Sequence, residues 1–457
     1  MLLIIGMGTN LYWYGSYDSS MPHIYLFAID CAILLLTISW HEKPSVVKAV
    51  GLGLLLGWGV ITRPSEVVWV FIPLLWGVYN LKTLQQKIRL LLQFKHHVFF
   101  LAMAACLPGI MQMSYWYYTT GHLLSYNHGE AFDFLHPFTI KALFSYKKGW
   151  LLYTPVMIFA IAGFVFLYKK KKELFWPLFV FFISNLYIIT SWECWWYAGT
   201  FGQRPFVQSY GLMAIPLGFL LDAFRQRRTL YLSLLSVLSV LTLFNQFQAW
   251  QMKNGIIHSE LMTKEYYWAV FGKTTYDRSL TRYLEVDRNN LPPLHSSEND
   301  YIKTVVYNAG YESPGETGPF QLLCDTFGYN SQHSTLLNQE KQFVKNWESP
   351  FDALTQKNYL RFRISADFYF TEDVTDKPVY FTFGMIGIRD QSYGYQAVPV
   401  QPDSMHKWVH HEMEFVTPPV LHRSDKIIMN IWNQGGTPVY IDNVRIEMFN
   451  PKEAYGY

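Results

Sequence analysis

GLGLLLGWGVITRPSEVVWVFIPLLWGV, residues 51–78, decides the fold of the first half of the chain. Two apolar runs flank one polar knot, Arg63-Pro64-Ser65-Glu66, and carry no charge themselves. A helix needs about 20 apolar residues to cross a bilayer. The stretch therefore reads as two membrane spans joined by a tight turn at one membrane face. Gly51, Gly53 and Gly57 are spaced like part of a nucleotide-binding fingerprint. They follow no strand and lie inside a span, so close helix packing is their expected role.

Working outward, apolar runs recur at 1–14, 22–40, 46–62, 65–80, 98–116, 150–168, 174–191, 206–223 and 229–249, which predicts about nine crossings. The mean hydropathy of +0.07 averages this half with a polar half beyond residue 252. Aromatic residues make up 18 % of the chain, and many flank the spans, where an amphipathic ring suits the headgroup layer. Met1–Gly8 lacks the basic start and cleavage site of a signal peptide and reads as the tail end of a helix whose beginning is missing.

Lysine and arginine in short loops set orientation. One set of alternate loops holds Lys43 and Lys48, then Lys82, Lys87, Arg89 and Lys95, then Lys169–Lys172, then Arg225, Arg227 and Arg228. The other set holds Arg63, Lys141, Lys147, Lys148 and Arg204. The first set is expected in the cytoplasm. The remaining loops and residues 253–457 then face outward, into the periplasm of a bacterial inner-membrane protein. The outward loops carry Asp18 with His23 at the membrane edge, Arg63 and Glu66, then His122, His128, Glu130, Asp133 and His136, then Glu193 and Arg204. Asp30 is the clear acid in mid-span; it reads first as hydrogen-bonded to a neighbouring helix, with a functional intramembrane acid as the alternative.

Several function classes fall away. A net charge of +3 leaves no footprint for nucleic acid. P-loop, HExxH, GxSxG and CxxC patterns are absent from the sequence, and a transporter's paired broken spans are not seen. Cys31 and Cys106 read as buried hydrophobes, and Cys194 and Cys324 are too far apart in sequence to suggest a metal site, although a bridge between them stays open. His406, His410 and His411 have no acidic or cysteine partner at ligand spacing. A divalent-metal requirement is therefore left undetermined.

Residues 253–300 read as a linker, with Asn289-Asn290-Leu291-Pro292-Pro293 marking a reversal, and 301–457 as a separate domain. Strands are expected at 359–370, 379–388, 407–415, 426–432 and 439–448 from alternating, aromatic-rich runs bounded by turn residues. That pattern predicts an all-β sandwich of jelly-roll type. IWNQGGTPVYIDNVRIEMF (431–449) resembles the closing strands of galactose-binding-like carbohydrate-binding modules, and SQHSTLLNQEKQFVKNWESPF (331–351) resembles their opening. The resemblance implies the fold and leaves ligand binding as one alternative, packing on the membrane domain as the other.

Three stretches of the first half, 51–78, FSYKKGWLLYTPVMIFAIAGFVFLYKKKK (144–172) and SWECWWYAGTFGQRPFVQSYGLMAIPLGFLLD (191–222), resemble bacterial GT-C glycosyltransferases near the protein mannosyltransferases. The resemblance implies a polytopic GT-C-like domain over 1–252. It also implies a polyprenyl-phosphate-linked sugar donor and transfer to an envelope glycan or protein acceptor. Arg63 and Arg204 would bind the donor phosphate, since a planar guanidinium fork donates two parallel hydrogen bonds. Asp18, in a stretch (9–27) like the family's second exterior loop, and Glu193 would serve as catalytic carboxylates. His23, Glu66, Trp195, Trp196 and Tyr197 would contact sugar or lipid, with Trp192 beside them; an interfacial aromatic belt is the alternative for the rings. The family's principal carboxylate would precede Met1. The competing reading is a non-catalytic, membrane-anchored glycan- or envelope-binding protein.

Overall fold

The computed structural model describes residues 1–125, 131–312, 323–324, 327–344, 347–374, 376–388, 390–401 and 404–453. The chain divides into two compact units, one ending at Arg282 and one beginning at Tyr283. His128 and Glu130, and the side chain of Cys324, lie outside the described residues.

The first unit is helical: α1 Leu2–Met7, α2 Leu11–Ser16, α3 Pro22–Glu42, α4 Val46–Thr62, α5 Phe71–Leu75, α6 Leu81–Gln93, α7 Lys95–Thr120, α8 Thr139–Phe144, α9 Trp150–Tyr153, α10 Val156–Lys170, α11 Lys172–Thr190, α12 Tyr210–Phe224, α13 Arg228–Lys253 and α14 Lys264–Val270. Among the described residues, five helices are long and apolar enough to cross a membrane: α3, α7, α11, Arg204–Phe224 and α13. They coincide with five of the expected spans. Of the other runs, 46–62 stays one shorter helix, the 17-residue α4, and the rest are broken up. The N-terminal run splits into α1 and α2, and the run after Pro64 into a 3-10 turn, Pro64–Val70, and the five-residue α5. The cause in the second case is Pro64 itself: α4 stops at Thr62, Arg63 is extended at φ −155°, and a new turn starts with proline at its first position.

Glycine sets a close helix contact. A Cβ on Gly53 or Gly57 of α4 would run into the carbonyl oxygens of Leu101 and Ala105 on α7. The glycines are thus packing residues, as their place in a span implies. The far side of α7 leaves Phe99, Met103, Leu107 and Ile110 exposed at helical spacing, a stripe suited to lipid rather than to water. Cys106 is exposed on the same helix, not buried as expected. Asp30 is buried, yet neither carboxylate oxygen finds a hydrogen-bond partner among the described residues, so the expected bond to a neighbouring helix is not formed.

Basic residues gather at one end of this unit. Lys87 of α6 donates to His41 at the end of α3 and, at 2.7 Å, to the Pro73 carbonyl of α5. Gly77 N–H donates to Glu173 O at 3.3 Å, and Lys170 pairs with Asp222 at 2.6 Å. These links bring the loops after α3, α5, α10 and α12 to a common end. Arg63, His23 and Arg204 lie at the opposite ends of their helices.

The second unit is an antiparallel β-sandwich. Its strands are β1 Tyr301–Ala309, β2 Leu323–Cys324, β3 Ser334–Leu337, β4 Trp347–Pro350, β5 Arg361–Phe370, β6 Val379–Ile386, β7 Ser392–Val400, β8 Trp408–Val416, β9 Lys426–Asn433 and β10 Val439–Pro451. One sheet runs β2-β3-β10-β5-β8, with β1 also on β10; the other runs β4-β9-β6-β7. The long β10 makes this possible by pairing β3 through Val439–Ile441 and β1 through Val444–Pro451. Alternate residues of β5 (Phe362, Ile364, Ala366, Phe368, Phe370) point inward against Phe381, Phe383 and Met385 of β6 and Ile427, Met429 and Ile431 of β9. This period of two buries one face of each sheet and leaves the other outward. The stretch 253–300 is shared out, α14 in the helical unit and Leu294–Ser297 in the sandwich unit.

Candidate functional site

The helical unit draws together most of the polar residues singled out from the sequence. Glu66 is fully buried and accepts from Gln208 Nε2 at 2.7 Å, Trp69 Nε1 at 2.9 Å and Ser65 Oγ at 3.3 Å. The same Gln208 presents its Oε1 to His23 Nδ1 at 3.1 Å. An amide oxygen only accepts, so His23 must carry its proton on Nδ1. One glutamine thus ties α3, the turn after Arg63 and the turn after Arg204 into a single polar knot. Gln208 was not foreseen; the signal for it is a lone amide one helical turn beyond Arg204, inside an apolar run.

Two arginines flank this knot. The Arg63 guanidinium lies over the Tyr197 ring, 5.3 Å from its centroid, and its buried Nη1 has no hydrogen-bond partner among the described residues. Arg204 directs Nη1 to Met21 Sδ at 3.6 Å, and its buried Nε is likewise unpartnered. The charges of both arginines reach His23 and each other. Tyr197 and Ala198 sit at φ 54° and 55°, a left-handed conformation that costs about 1–3 kcal/mol per residue away from glycine. The Tyr197 hydroxyl donates to Ile189 O at 2.8 Å and helps hold that turn. Burial pushes the Tyr197 phenol up to about 12, against the opposing pull of Arg63.

Asp18 lies within electrostatic reach of Arg204 but makes no ion pair with it among the described residues. Its backbone forms a turn, with Met21 N–H donating to Asp18 O at 3.3 Å. Glu193 is placed elsewhere: its Oε2 accepts from Ala131 N at 2.9 Å, next to the isolated bridge between Phe132 and Trp192. Trp195 is 1 % exposed and offers no face to a ligand. Trp196 carries Lys147 Nζ over its ring at 4.7 Å. Lys148, also buried, donates to the carbonyls of Thr200 and Ser259 and clips the 191–203 loop in place, and burial pushes its ammonium well down. Two partly buried guanidinium groups, each with a buried spare N–H donor, can hold an anionic oxygen; among the described residues no carboxylate forms an ion pair with either one.

The sandwich unit has a second candidate on the outer face of its six-stranded sheet. Tyr440 of β10, Tyr369 of β5 and Trp408 of β8 stand in register on adjacent strands. Phe327 covers them, with centroid distances of 4.7 Å to Tyr369, 5.4 Å to Trp408 and 5.1 Å to Tyr440. Tyr329 adds a half-exposed ring 5.9 Å from Trp408. The next outward row, two residues along each strand, is polar: Asp442, Asp367 and His410. Asp367 accepts from His410 Nδ1 and from Asn443 Nδ2, both at 2.8 Å. Asp442 accepts from Ser331 Oγ at 2.8 Å and Tyr329 N at 2.9 Å, and burial pushes its carboxyl up. His410 faces outward while His411 packs near Phe368, 5.7 Å between rings, so the histidines do not converge. Among the described residues no cluster of three histidine, cysteine or acidic side chains suits a metal ion. An aromatic row beside a fixed polar row can stack on sugar rings and hydrogen-bond their hydroxyls.

No family model matches the chain, and no curated protein matches it. Among solved structures, the chain is similar to the CBM22-1 xylan-binding domain of Paenibacillus barcinonensis Xyn10C, at 11 % identity and TM-score 0.23, over 32 % of this chain and 96 % of that one. It is similar to the C-terminal family 22 carbohydrate-binding module of Clostridium thermocellum Xyn10B, at 17 % identity and TM-score 0.23, over 31 % and 92 %. A family 16 carbohydrate-binding module gives 13 % identity and TM-score 0.19, over 30 % and 89 %.

Proposed function

We propose that the chain is a membrane-anchored glycan-binding protein: the helical unit lodges in a bacterial inner membrane, and the sandwich binds carbohydrate in the periplasm. The observation that carries this reading is the outward row Tyr440–Tyr369–Trp408 with its adjoining polar row Asp442–Asp367–His410. Asp442 and Asp367 are buried and held by Ser331 and Asn443, so they fix the row in place, and the exposed His410 is its member that can meet a ligand without reorganising. The gathering of basic loops at one end of the helical unit supports the orientation, which sends the sandwich to the other side of the membrane. The test is a glycan array probed with the full chain in nanodiscs, covering envelope polysaccharides and plant xylans. Binding that is lost in Trp408→Ala supports the reading; an array without a binder, from protein whose sandwich is folded by circular dichroism, sinks it.

A second reading is favoured by a different observation, the convergence of Arg63, Arg204, His23 and Glu66. It makes the helical unit a GT-C-like transferase that takes a polyprenyl-phosphate-linked sugar, with Arg63 and Arg204 on the phosphate and Asp18 as the half-buried carboxylate within electrostatic reach of Arg204. Its test is transfer from lipid-linked sugar in membranes. Activity abolished by Arg63→Gln and Arg204→Gln supports it, and no transfer by the unaltered chain to any envelope acceptor tried counts against it.

A further inference from the structure

The basic loop between α5 and α7 is not a plain connection. Asn80 caps α6 by accepting from Thr83 N at 2.9 Å, while Thr83 Oγ1 returns to accept from Asn80 N at 3.0 Å. That capping box starts a helix of 13 residues, Leu81–Gln93. At 100° per residue, Leu81, Leu84, Ile88 and Leu92 fall on one face, and Lys82 and Arg89 lie about 100° around the helix from its centre, on one flank. Only a third, narrow face meets the protein: Lys87 is buried, donating to His41 and to the Pro73 carbonyl. The apolar face is left open, with Leu81 79 %, Ile88 48 % and Leu92 65 % exposed.

Two further facts say what covers that face. α6 runs through a single residue, Phe94, into α7, a 26-residue helix apolar enough to cross a membrane, so α6 ends at the depth where a span meets the interface. The exposed flank beside the leucines carries Lys82 and Arg89, and Lys95 follows at the start of α7.

We propose that α6 is an in-plane membrane helix that docks on anionic phospholipid headgroups at the basic end of the helical unit. Leu84, Ile88 and Leu92 enter the acyl boundary, Lys82 and Arg89 rest among the lipid phosphates, and Lys87 fixes the helix to the bundle. The division of labour follows from chemistry. Apolar area gives an amphipathic helix its insertion, and each lysine or arginine beside an anionic surface adds a factor of about five in partitioning. The proposal is independent of what the sandwich binds.

The experiment is hydrogen–deuterium exchange of the full chain in nanodiscs of phosphatidylcholine alone and of phosphatidylcholine with phosphatidylglycerol. Amides of α6 are expected to exchange more slowly in the discs containing phosphatidylglycerol. The double variant Lys82→Gln/Arg89→Gln is expected to lose that difference, by up to about 25-fold in protection, and Leu84→Gln/Ile88→Gln to lose protection in both discs. Unchanged exchange in α11 shows that a variant is folded. Equal α6 protection in the two lipid compositions overturns the proposal without any variant. Protection that grows with protein concentration in detergent overturns it in favour of a second copy on the same face.

Discussion

Tyr369 and Trp408 face each other across β5 and β8, paired in register with ring centroids 5.7 Å apart at 55°. Both point away from the core formed by Phe368 and Phe370 of the same strand. Removing either ring should therefore leave the fold intact and cost affinity. Trp408→Ala is expected to weaken glycan binding about tenfold or more, the effect of losing an aromatic anchor, with the thermal midpoint of the sandwich nearly unchanged. Calorimetric titration and circular dichroism on one preparation separate the two effects. A large fall in the midpoint with unchanged affinity would assign the ring to structure.

Glu66 is a different kind of residue. Its two oxygens satisfy Gln208, Trp69 and Ser65 in a buried place. Glu66→Ala strands the Gln208 and Trp69 donors, and the loss is expected to be roughly 2–4 kcal/mol, from charge-assisted hydrogen bonds left unmade. Glu66→Gln keeps a carbonyl oxygen and is expected to cost less than half of that. Thermal unfolding in detergent, followed by intrinsic fluorescence, ranks the two variants; equal midpoints would mean that the knot does not bear on stability.

The helical hairpin was legible because Arg63-Pro64-Ser65-Glu66 interrupts an otherwise unbroken apolar run, and a proline there can end one helix and begin another. What interrupted the N-terminal run was less visible. Asn10, between α1 and α2, donates to Phe201 O at 3.1 Å, a partner 191 residues away. Long-range pairs hid the rest of the site as well: the Arg63–Tyr197 stack and the Gln208 bridge join segments whose separate patterns contain no hint of each other. In the sandwich, β5, β6, β8, β9 and β10 showed clean alternation and were expected. β7, with Gly394 and Pro399 and mostly exposed side chains, lies at a sheet edge where alternation is not enforced. The outward parity of Tyr369, Trp408 and Tyr440 was readable strand by strand, but their alignment is a matter of register. α6 is masked in the sequence by Lys82, Lys87, Arg89 and Lys95, which mark a basic loop more strongly than the spacing of Leu84, Ile88 and Leu92 marks a helix.

The α4–α7 contact yields a paired prediction. Gly57→Ala places a methyl group against the Ala105 carbonyl, whereas Gly109→Ala, in the interior of α7, meets nothing within 4 Å. The first is expected to destabilise by about 1–3 kcal/mol, the usual cost of overpacking. The second is expected to stabilise by about 0.5–1 kcal/mol through helix propensity alone. Opposite signs in the thermal midpoints of the two variants are the expected outcome; the same sign would mean that the two helices are not in close contact.

Lys87 gives α6 a dependence on pH. Burial pushes its ammonium down to about 8, from an ordinary value of 10.5. Between those values the unfolded chain keeps a proton that the folded one has released, so the unfolded state binds more protons and stability rises with pH. Below about 8 both states are protonated and the slope vanishes, leaving the cost of the buried charge in full. Local protection of α6, measured by hydrogen exchange corrected for intrinsic rates, should therefore be flat up to about pH 8 and climb from there to pH 10. Lys87→Met removes the titrating group and is expected to abolish the climb while leaving α11 unaffected. A climb that survives in Lys87→Met would assign the pH dependence to another group.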